Sequence, residues 1–594
     1  MTIDETVENT QRIGGELLAA MLAAEGVSRV FGIIDGTYLG LYTAFEKYGI
    51  ELISPRHESS AAHMAGAYAR SSGKLGVCMA SNGPGVANIL PGVAVETGEG
   101  NRVLLLTSCR RTGIAYPERG GTFQYFDQVG VTAPMTKWSQ TVHSPDRLPE
   151  LARQAFSAAW QGRPGVVHLD VPENIMNGAF PYPADVVREP ASYRSLQPMA
   201  VDPSQVEAAA ALLRDAAFPV IHAGSGIVHS QAAAQLAAVA EALSAPMTCS
   251  WGARGVLDES SPLAIPNSTM NAAKSARTRS DLFLVLGSRV GETDWWGRGH
   301  QWGGSRPAIP KRCIQVDIDG EIIGRNRPAD LAIVGDVKVF LDALLRALQE
   351  QPVAAQTLVS RDAIVAELAA EKATSRAELD AALASEDTPM HPAHVPVIAR
   401  KVFGDDGMLV IDGGNTAVWC AHYYRNARPD AIHSTFKFGM LGAGVGQALG
   451  VKAAHPERPV VCIIGDGAMG MHLQEIETAV RSRLPVVYVV LCDRQWGMVK
   501  LTQQFGIGEL REAMGIEAQG TINTDFEEIR FDQVALAMGA HGERVADPAE
   551  LEAVLQRALD SGRPGVVHVD VDPVAHLWAP NLLEFKEMHG EPVG

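Results

Sequence analysis

Asp466 and Asp493 carry the plainest chemistry in this sequence. The stretch VVCIIGDGAMGMHLQEIETAVRSRLPVVYVVLCDRQWG, residues 460–497, reads as strand, Gly-Asp-Gly, helix, Leu-Pro, strand, then an acid just past the strand end. Both aspartates therefore fall at the carboxyl ends of parallel strands, where open α/β sheets bind ligands. Two carboxylates from neighbouring strand ends suit a hard cation such as Mg2+, which keeps a water and takes phosphate oxygens for the rest of its octahedron. Gly465 and Gly467 let backbone come close to a ligand, and a helix expected to start near Ala468 offers free amides to a diphosphate. Gly-Asp-Gly alone reads equally as a tight turn; the acid after LPVVYVVL is what lifts it above that reading.

A second candidate lies in SPRHESSAAHMAGAYAR, residues 54–70, where Glu58 follows the strand-like IELISP and opens a helix. A Glu in a first helical turn is by itself more often there to oppose the helix dipole. His57 and His63 flank it, and an isolated His beside a buried helix is usually a satisfied core residue.

These residues must be held by a repeated rhythm of short apolar strands and Ala-rich helices, which implies parallel sheets with helical crossovers. RVFGI (30–34), LGVCMAS (75–81), RVLLLTS (102–108) and GVVHLDV (165–171) are expected strands of a first domain, residues 10–185. A Pro-rich linker follows at 181–204. A central domain, 200–350, has FPVIHAGSG, DLFLVLGS and CIQVDID. A polar connection with a charged helical piece runs from 349 to about 390. A third domain, 390–575, has GMLVIDGG, PVVCIIGDG, PVVYVVLCD and GVVHVDV, and residues 576–594 form a tail. GRPGVVHLDVPE (162–173) returns as GRPGVVHVDVDP (562–573). In each copy a helix should stop at Gly-Arg-Pro and a strand follow at once, so the two outer domains read as duplicates sharing one ligand.

The 460–497 stretch resembles the thiamine-diphosphate motif, which runs from Gly-Asp-Gly to an Asn-Asn pair. The resemblance implies that Asp466, Asp493 and the carbonyl of Gln495 bind Mg2+. Here Cys492-Asp493 stands for Asn-Asn, and Cys492 cannot replace an amide as a hydrogen-bonding group. RHE followed by AGAYAR resembles the family's catalytic glutamate segment. That role suits Glu58, because a carboxyl at ring atom N1′ drives the cofactor's aminopyrimidine to the imino form that deprotonates its thiazolium. GTFQYFDQ (121–128) resembles a loop that reaches the substrate, which makes Gln124 a substrate contact, and His57 is a further catalytic candidate. FKFGMLGAGVGQALG (436–450) resembles the pyrimidine cradle, with Leu441 as the apolar prop and the Gly439 carbonyl receiving the amino group; from residue 444 onward it also reads as a Gly-rich helix packing on the sheet.

The resemblance covers nearly the whole chain and implies three doubly wound α/β domains: pyrimidine-binding, central and diphosphate-binding. It also implies active sites shared between subunits of a homodimer or homotetramer. Its nearest branch resembles the acetolactate synthase, benzaldehyde lyase and sulfoacetaldehyde acetyltransferase group. The activity implied is decarboxylation and carboligation of 2-oxo acids or 2-hydroxy ketones through an enamine; hydroxy-ketone lyase, simple 2-oxo acid decarboxylase and acyltransferase are the alternatives. Substrate-choosing positions depart from acetolactate synthase: Thr502 stands where a Trp is usual, and Ile34-Asp35-Gly36 replaces PGG, which puts Asp35 in the pocket with Gln124, Trp496 and Met498. The central domain keeps HAGSG and GSR, but its flavin-contacting segments match poorly, which speaks against bound FAD.

Composition sets limits. A net charge of −18 argues against nucleic acid or anionic membrane as a partner. No apolar run is long enough to span a bilayer, and the polar, acidic start is unlike a secretory signal. Seven scattered cysteines without a CxxC pair read as reduced core thiols of a cytoplasmic enzyme. A non-catalytic nucleotide-binding protein could use the same sheets, but Glu58 together with Asp466 and Asp493 speaks against it.

Overall fold

The computed structural model describes residues 9–266, 268–299, 302, 311–517 and 519–587. Three six-stranded parallel sheets carry the fold, with a two-stranded antiparallel ribbon of Asn9–Ile13 and Ala179–Pro183. The N-terminal strands are Arg29–Gly32, Glu51–Ile53, Gly76–Ala80, Val103–Cys109, Trp138–Thr141 and Val166–Pro172. The C-terminal ones are Met408–Asp412, Ile432–His433, Val460–Gly465, Val486–Cys492, His541–Val545 and Gly565–Asp570. Numbered within each domain, both sheets run in the order 2-1-3-4-6-5. The central strands Pro219–Ala223, Met247–Cys249, Ala264–Ile265, Leu282–Leu286, Arg312–Asp317 and Leu331–Val334 run 3-2-1-4-5-6 instead. The outer sheets thus share a topology that the central one lacks.

The repeated sequence supplies the sixth strand of each outer sheet, lying between strands 4 and 5. The preceding helices end at Trp160 and Asp560, and Gly162 and Gly562 then turn the chain through φ of 57° and 61°. A side chain with Cβ is strained in that left-handed region, which is why glycine recurs there. Both strands enter a core of Val and Leu: Val167 and Leu169 in one sheet, Val567 and Val569 in the other.

The chain divides into two compact units. The first comprises residues up to 197 together with 442–457 and 472–486; the second holds the rest. Within the first unit the Gly-rich helix Ala443–Ala454 packs on helix Glu58–Ser72. A Cβ at Gly450 would stand 2.2 Å from the Met64 carbonyl oxygen, and one at Gly446 3.1 Å from that of Ser60. Small residues on this face let the two helix backbones touch.

The polar connection after 349 is mostly one helix, Ala355–Asp380, in the second unit. It buries only Arg361, Val365 and Leu368, too thin a stripe to give a clear helical period in the sequence. Arg361 is fully buried and donates to the carbonyls of Leu213, Ala216 and Leu243, where helices Pro203–Asp215 and Ala233–Leu243 end. One guanidinium therefore satisfies the last carbonyls of two helices. All seven cysteines are buried and unbridged. Replacing Arg361 by Leu orphans those carbonyls and should lower stability by about 2–4 kcal/mol, read as an earlier urea transition; an unchanged midpoint would deny Arg361 this role.

Candidate active site

In the C-terminal sheet, strands 1, 3 and 4 are adjacent, and the chain leaves strand 1 and strand 3 in opposite directions across the sheet. That switch point opens a crevice at the carboxyl ends of the strands. Three glycine-bearing loops meet there. Gly413 follows strand 1 with φ 105° and caps helix Gly414–Tyr423. Strand 3 runs straight into a helix at Asp466, two residues earlier than expected from Ala468. Strand 4 ends at Cys492, and Asp493 to Gly497 lead into helix Gly497–Met514.

Asp466 and Asp493 are both buried here. Asp466 accepts from the amides of Gly467 and Arg494, each at 2.7 Å. Burial, and then the charge of Asp493, push its pKa up to about 6. Asp493 Oδ2 accepts from Gln495 Nε2 at 3.0 Å and lies 2.6 Å from His576 Nδ1. The ring of Trp496 lies over Gly467: a Cβ there would stand 2.6 Å from it. Met498 packs on Gly414, whose added Cβ would lie 3.1 Å from the Met498 Cβ. Ala468 is buried behind the turn. Gly439 is left-handed, at φ 68°, with open space where a Cβ would go, and Leu441 is half-buried.

This crevice fits a diphosphate with a hard cation. Two acids repel one another with no cation between them, and a Cβ at Gly497 would fall 2.6 Å from Asn415 Nδ2. The Asn415 Oδ1 is buried without a hydrogen-bond partner, a vacant acceptor at the first turn of helix Gly414–Tyr423. Cys492 lines a cleft with Asp466, Arg494, His568 and Asp570, and its thiol donates to the Val490 carbonyl at 3.4 Å. Burial raises its pKa well above the ordinary value, so it stays a thiol rather than a metal-binding thiolate. Glu528, His568 and Asp570 form a further group of ligand atoms within 4.8 Å of one another. Arg544 already occupies that position: it donates to both Asp570 oxygens at 2.7 and 2.8 Å and to Glu528 at 2.7 Å.

In the N-terminal unit Glu58 is the first residue of its helix, and its Oε2 accepts from Asn88 Nδ2 at 3.0 Å. His57 caps the helix: its Nδ1 accepts from the Ser59 amide and lies 2.8 Å from the Ser59 hydroxyl. His63 is buried against Glu96 at 3.1 Å, and burial brings its pKa down to about 4. Gln124 sits in a left-handed conformation, φ 58°, on an exposed loop held to residues 82 and 83: its carbonyl accepts from Asn82, and a Cβ on Gly83 would strike it at 2.4 Å. Asp35 caps a short 3-10 turn through the Thr37 amide at 2.8 Å and is exposed. The C-terminal loops thus bring together Gly465, Asp466, Gly467, Ala468, Asp493, Gln495, Trp496 and Met498. Glu58, Gln124 and Asp35 stand in the other unit. His576 beside Asp493 escapes a reading of the sequence, because nothing in HVDVDPVAHL spaces it like a ligand.

Residues 12–131, 206–344 and 412–569 match the family models described as the N-terminal TPP binding, central, and C-terminal TPP binding domains of thiamine pyrophosphate enzymes. The chain is 30% identical over 580 residues to the probable acetolactate synthase large subunit of Methanocaldococcus jannaschii, covering 95% of this chain and 93% of that one. It is 30% identical over 573 residues to the acetolactate synthase isozyme 2 large subunit of Escherichia coli, covering 95% and 96%. The sulfoacetaldehyde acetyltransferase of Castellaniella defragrans is also 30% identical, over 575 residues, covering 92% and 90%.

The raised pKa of Asp466 has a pH consequence. Below about 6 the folded protein holds a proton there that a cation must displace, so Mg2+ affinity should fall as pH drops through that value and level off above it. Titrating Mg2+ binding from about pH 5 to about pH 8, on both sides of that value, tests this; affinity flat with pH would remove Asp466 from the site.

Proposed function

The chain belongs to the thiamine pyrophosphate enzymes, in the branch of the acetolactate synthase large subunits, and from that premise we propose how its residues share the work. It is a thiamine-diphosphate-dependent enzyme of the carboligase and decarboxylase type. In this reading the turns 413–415 and 465–468 would receive the diphosphate, and Asp466, Asp493 and the Gln495 carbonyl would hold Mg2+. Gly439 and Leu441 cradle the pyrimidine. Glu58 of a second copy holds a proton at the pyrimidine ring nitrogen N1′, and Gln124, Asp35, Trp496 and Met498 border the substrate. When bound, the cofactor supplies a carbon nucleophile and an electron sink for making or breaking the bond beside a carbonyl.

What carries the reading is the meeting of three glycine loops around two buried carboxylates at the switch point. The donor is a 2-oxo acid or a 2-hydroxy ketone. Transfer of an acetyl group is the second reading, favoured by the equal identity to an acetyltransferase. Domain limits at 10–185, 200–350 and 390–575, a cytoplasmic location and a homodimer or homotetramer belong to the same proposal. Among the described residues no helix is long and apolar enough to cross a membrane. Helix Gly497–Met514 buries Leu501 alone and exposes Val499, Phe505, Leu510 and Met514, which suits a subunit interface.

Two outcomes test this. With thiamine diphosphate and Mg2+, the protein should release CO2 from pyruvate or aldehyde from acetoin or benzoin. Glu58→Gln should lower kcat by about 10²–10⁴-fold while cofactor affinity holds within a few-fold; a fully active variant would remove Glu58 from the chemistry. Light scattering should give a mass of at least two chains, and a monomer that turns over substrate would contradict the shared site.

A further inference from the structure

We infer that His576 is a positioning residue for the cofactor metal, and that the short helix Pro573–Leu577 clasps the metal-binding loop. The inference rests on the reading of Asp493 as a metal ligand. His576 is buried, with Nδ1 2.6 Å from Asp493 Oδ2 and Nε2 3.4 Å from the Thr416 hydroxyl. Its main-chain carbonyl accepts from Asn415 Nδ2 at 3.2 Å and Trp419 Nε1 at 3.1 Å. One helical turn earlier, the Pro573 carbonyl accepts from Gln495 Nε2 at 2.7 Å. One element therefore grips Asp493, Gln495 and the first turns of helix Gly414–Tyr423.

The element is itself fixed. Asp572 accepts from the amides of Val574 and Ala575 at 2.7 and 3.0 Å, and its own amide donates to the Met390 carbonyl at 2.9 Å. Both hydrogen bonds to the Asp493 carboxylate fall on Oδ2, which leaves Oδ1 as the oxygen to meet a cation. A carboxylate on a strand-end loop has two free torsions, and a buried donor on the far oxygen fixes the angle of the near one. Partners of this kind hold metal ligands in their binding orientation, and losing one weakens metal affinity about 10–100-fold. Glu58 in the first unit is held differently, its carboxylate met by Asn88 from a neighbouring helix.

The test reads metal binding without turnover. Mn2+ binding to the full chain, with thiamine diphosphate present, is followed by the free-ion paramagnetic resonance signal. His576→Ala should weaken Mn2+ about 10–100-fold. His576→Asn, whose amide nitrogen stands where Nδ1 stood, should restore most of that loss, and His576→Gln, whose nitrogen stands at the Nε2 position, should not. Should His576→Ala fail to fold, as judged by metal-free thermal unfolding, the Asn and Gln pair decides alone. Equal binding by Asn and Gln variants, or an Ala variant that binds like the parent, overturns the inference. Asp493→Ala separates the two levels: if it too leaves Mn2+ affinity unchanged, the metal reading falls and takes the clasp with it. If only Asp493→Ala weakens binding, the clasp alone falls.

Discussion

Two buried carboxylates at adjacent strand ends repel each other, and the C-terminal half of this protein is built to keep them together. Asp466 is pinned by two backbone amides and Asp493 by Gln495 and His576. Those bonds hold the groups in place without removing their mutual repulsion, which adds to burial in raising the pKa of Asp466. In the proposed function a divalent cation removes it directly, and the amides of the neighbouring helix termini would face an anionic diphosphate. The glycines follow from the same constraint. Backbone has to reach the ligand while a Trp ring closes over Gly467 and Asn415 fills the space beside Gly497.

One sheet design serves two purposes because the chemistry lives at strand ends and not in strands. The sixth strands of the outer sheets are almost the same sequence in the same position of the sheet. In the first, His168 is enclosed by the hydroxyls of Thr107, Thr132 and Ser139, and Asp170 by Thr107, Thr141 and Gln128. In the second, Asp570 is held by Arg544 through both oxygens, with His568 Nε2 3.4 Å from its Oδ1. Backbone hydrogen bonding keeps the strands alike while their side-chain surroundings diverge. Divergence at the loops is larger still, with acids and glycines in one domain and Glu58 in the other.

Much of the fold is legible in the sequence. Parallel strands read as apolar runs because both faces are covered, and Leu105, Ile463 and Val489 in the middle of such runs are all buried. The Gly-Arg-Pro repeat points to duplication, since a left-handed glycine must sit where each helix stops. Other features depend on contacts between residues far apart in the chain. Helix Ala443–Ala454 pairs with helix Glu58–Ser72 through glycines whose partners no local pattern names. His57 reads as a chemical neighbour of Glu58 and is the cap of its helix. His576, which reads as part of a tail, touches Asp493 only because strand 6 lies beside strand 4 and returns the chain to the same sheet edge.

If the Asp466–Asp493 crevice holds the cation and diphosphate of thiamine diphosphate, a crystal structure with the cofactor and Mn2+ shows it most directly, with anomalous scattering locating the metal. The expected result is one strong peak about 2 Å from a carboxylate oxygen of both Asp466 and Asp493, with the diphosphate on the turns at Gly414 and Gly467. A peak at Glu528, His568 and Asp570 instead, or cofactor bound away from the switch point, would contradict it.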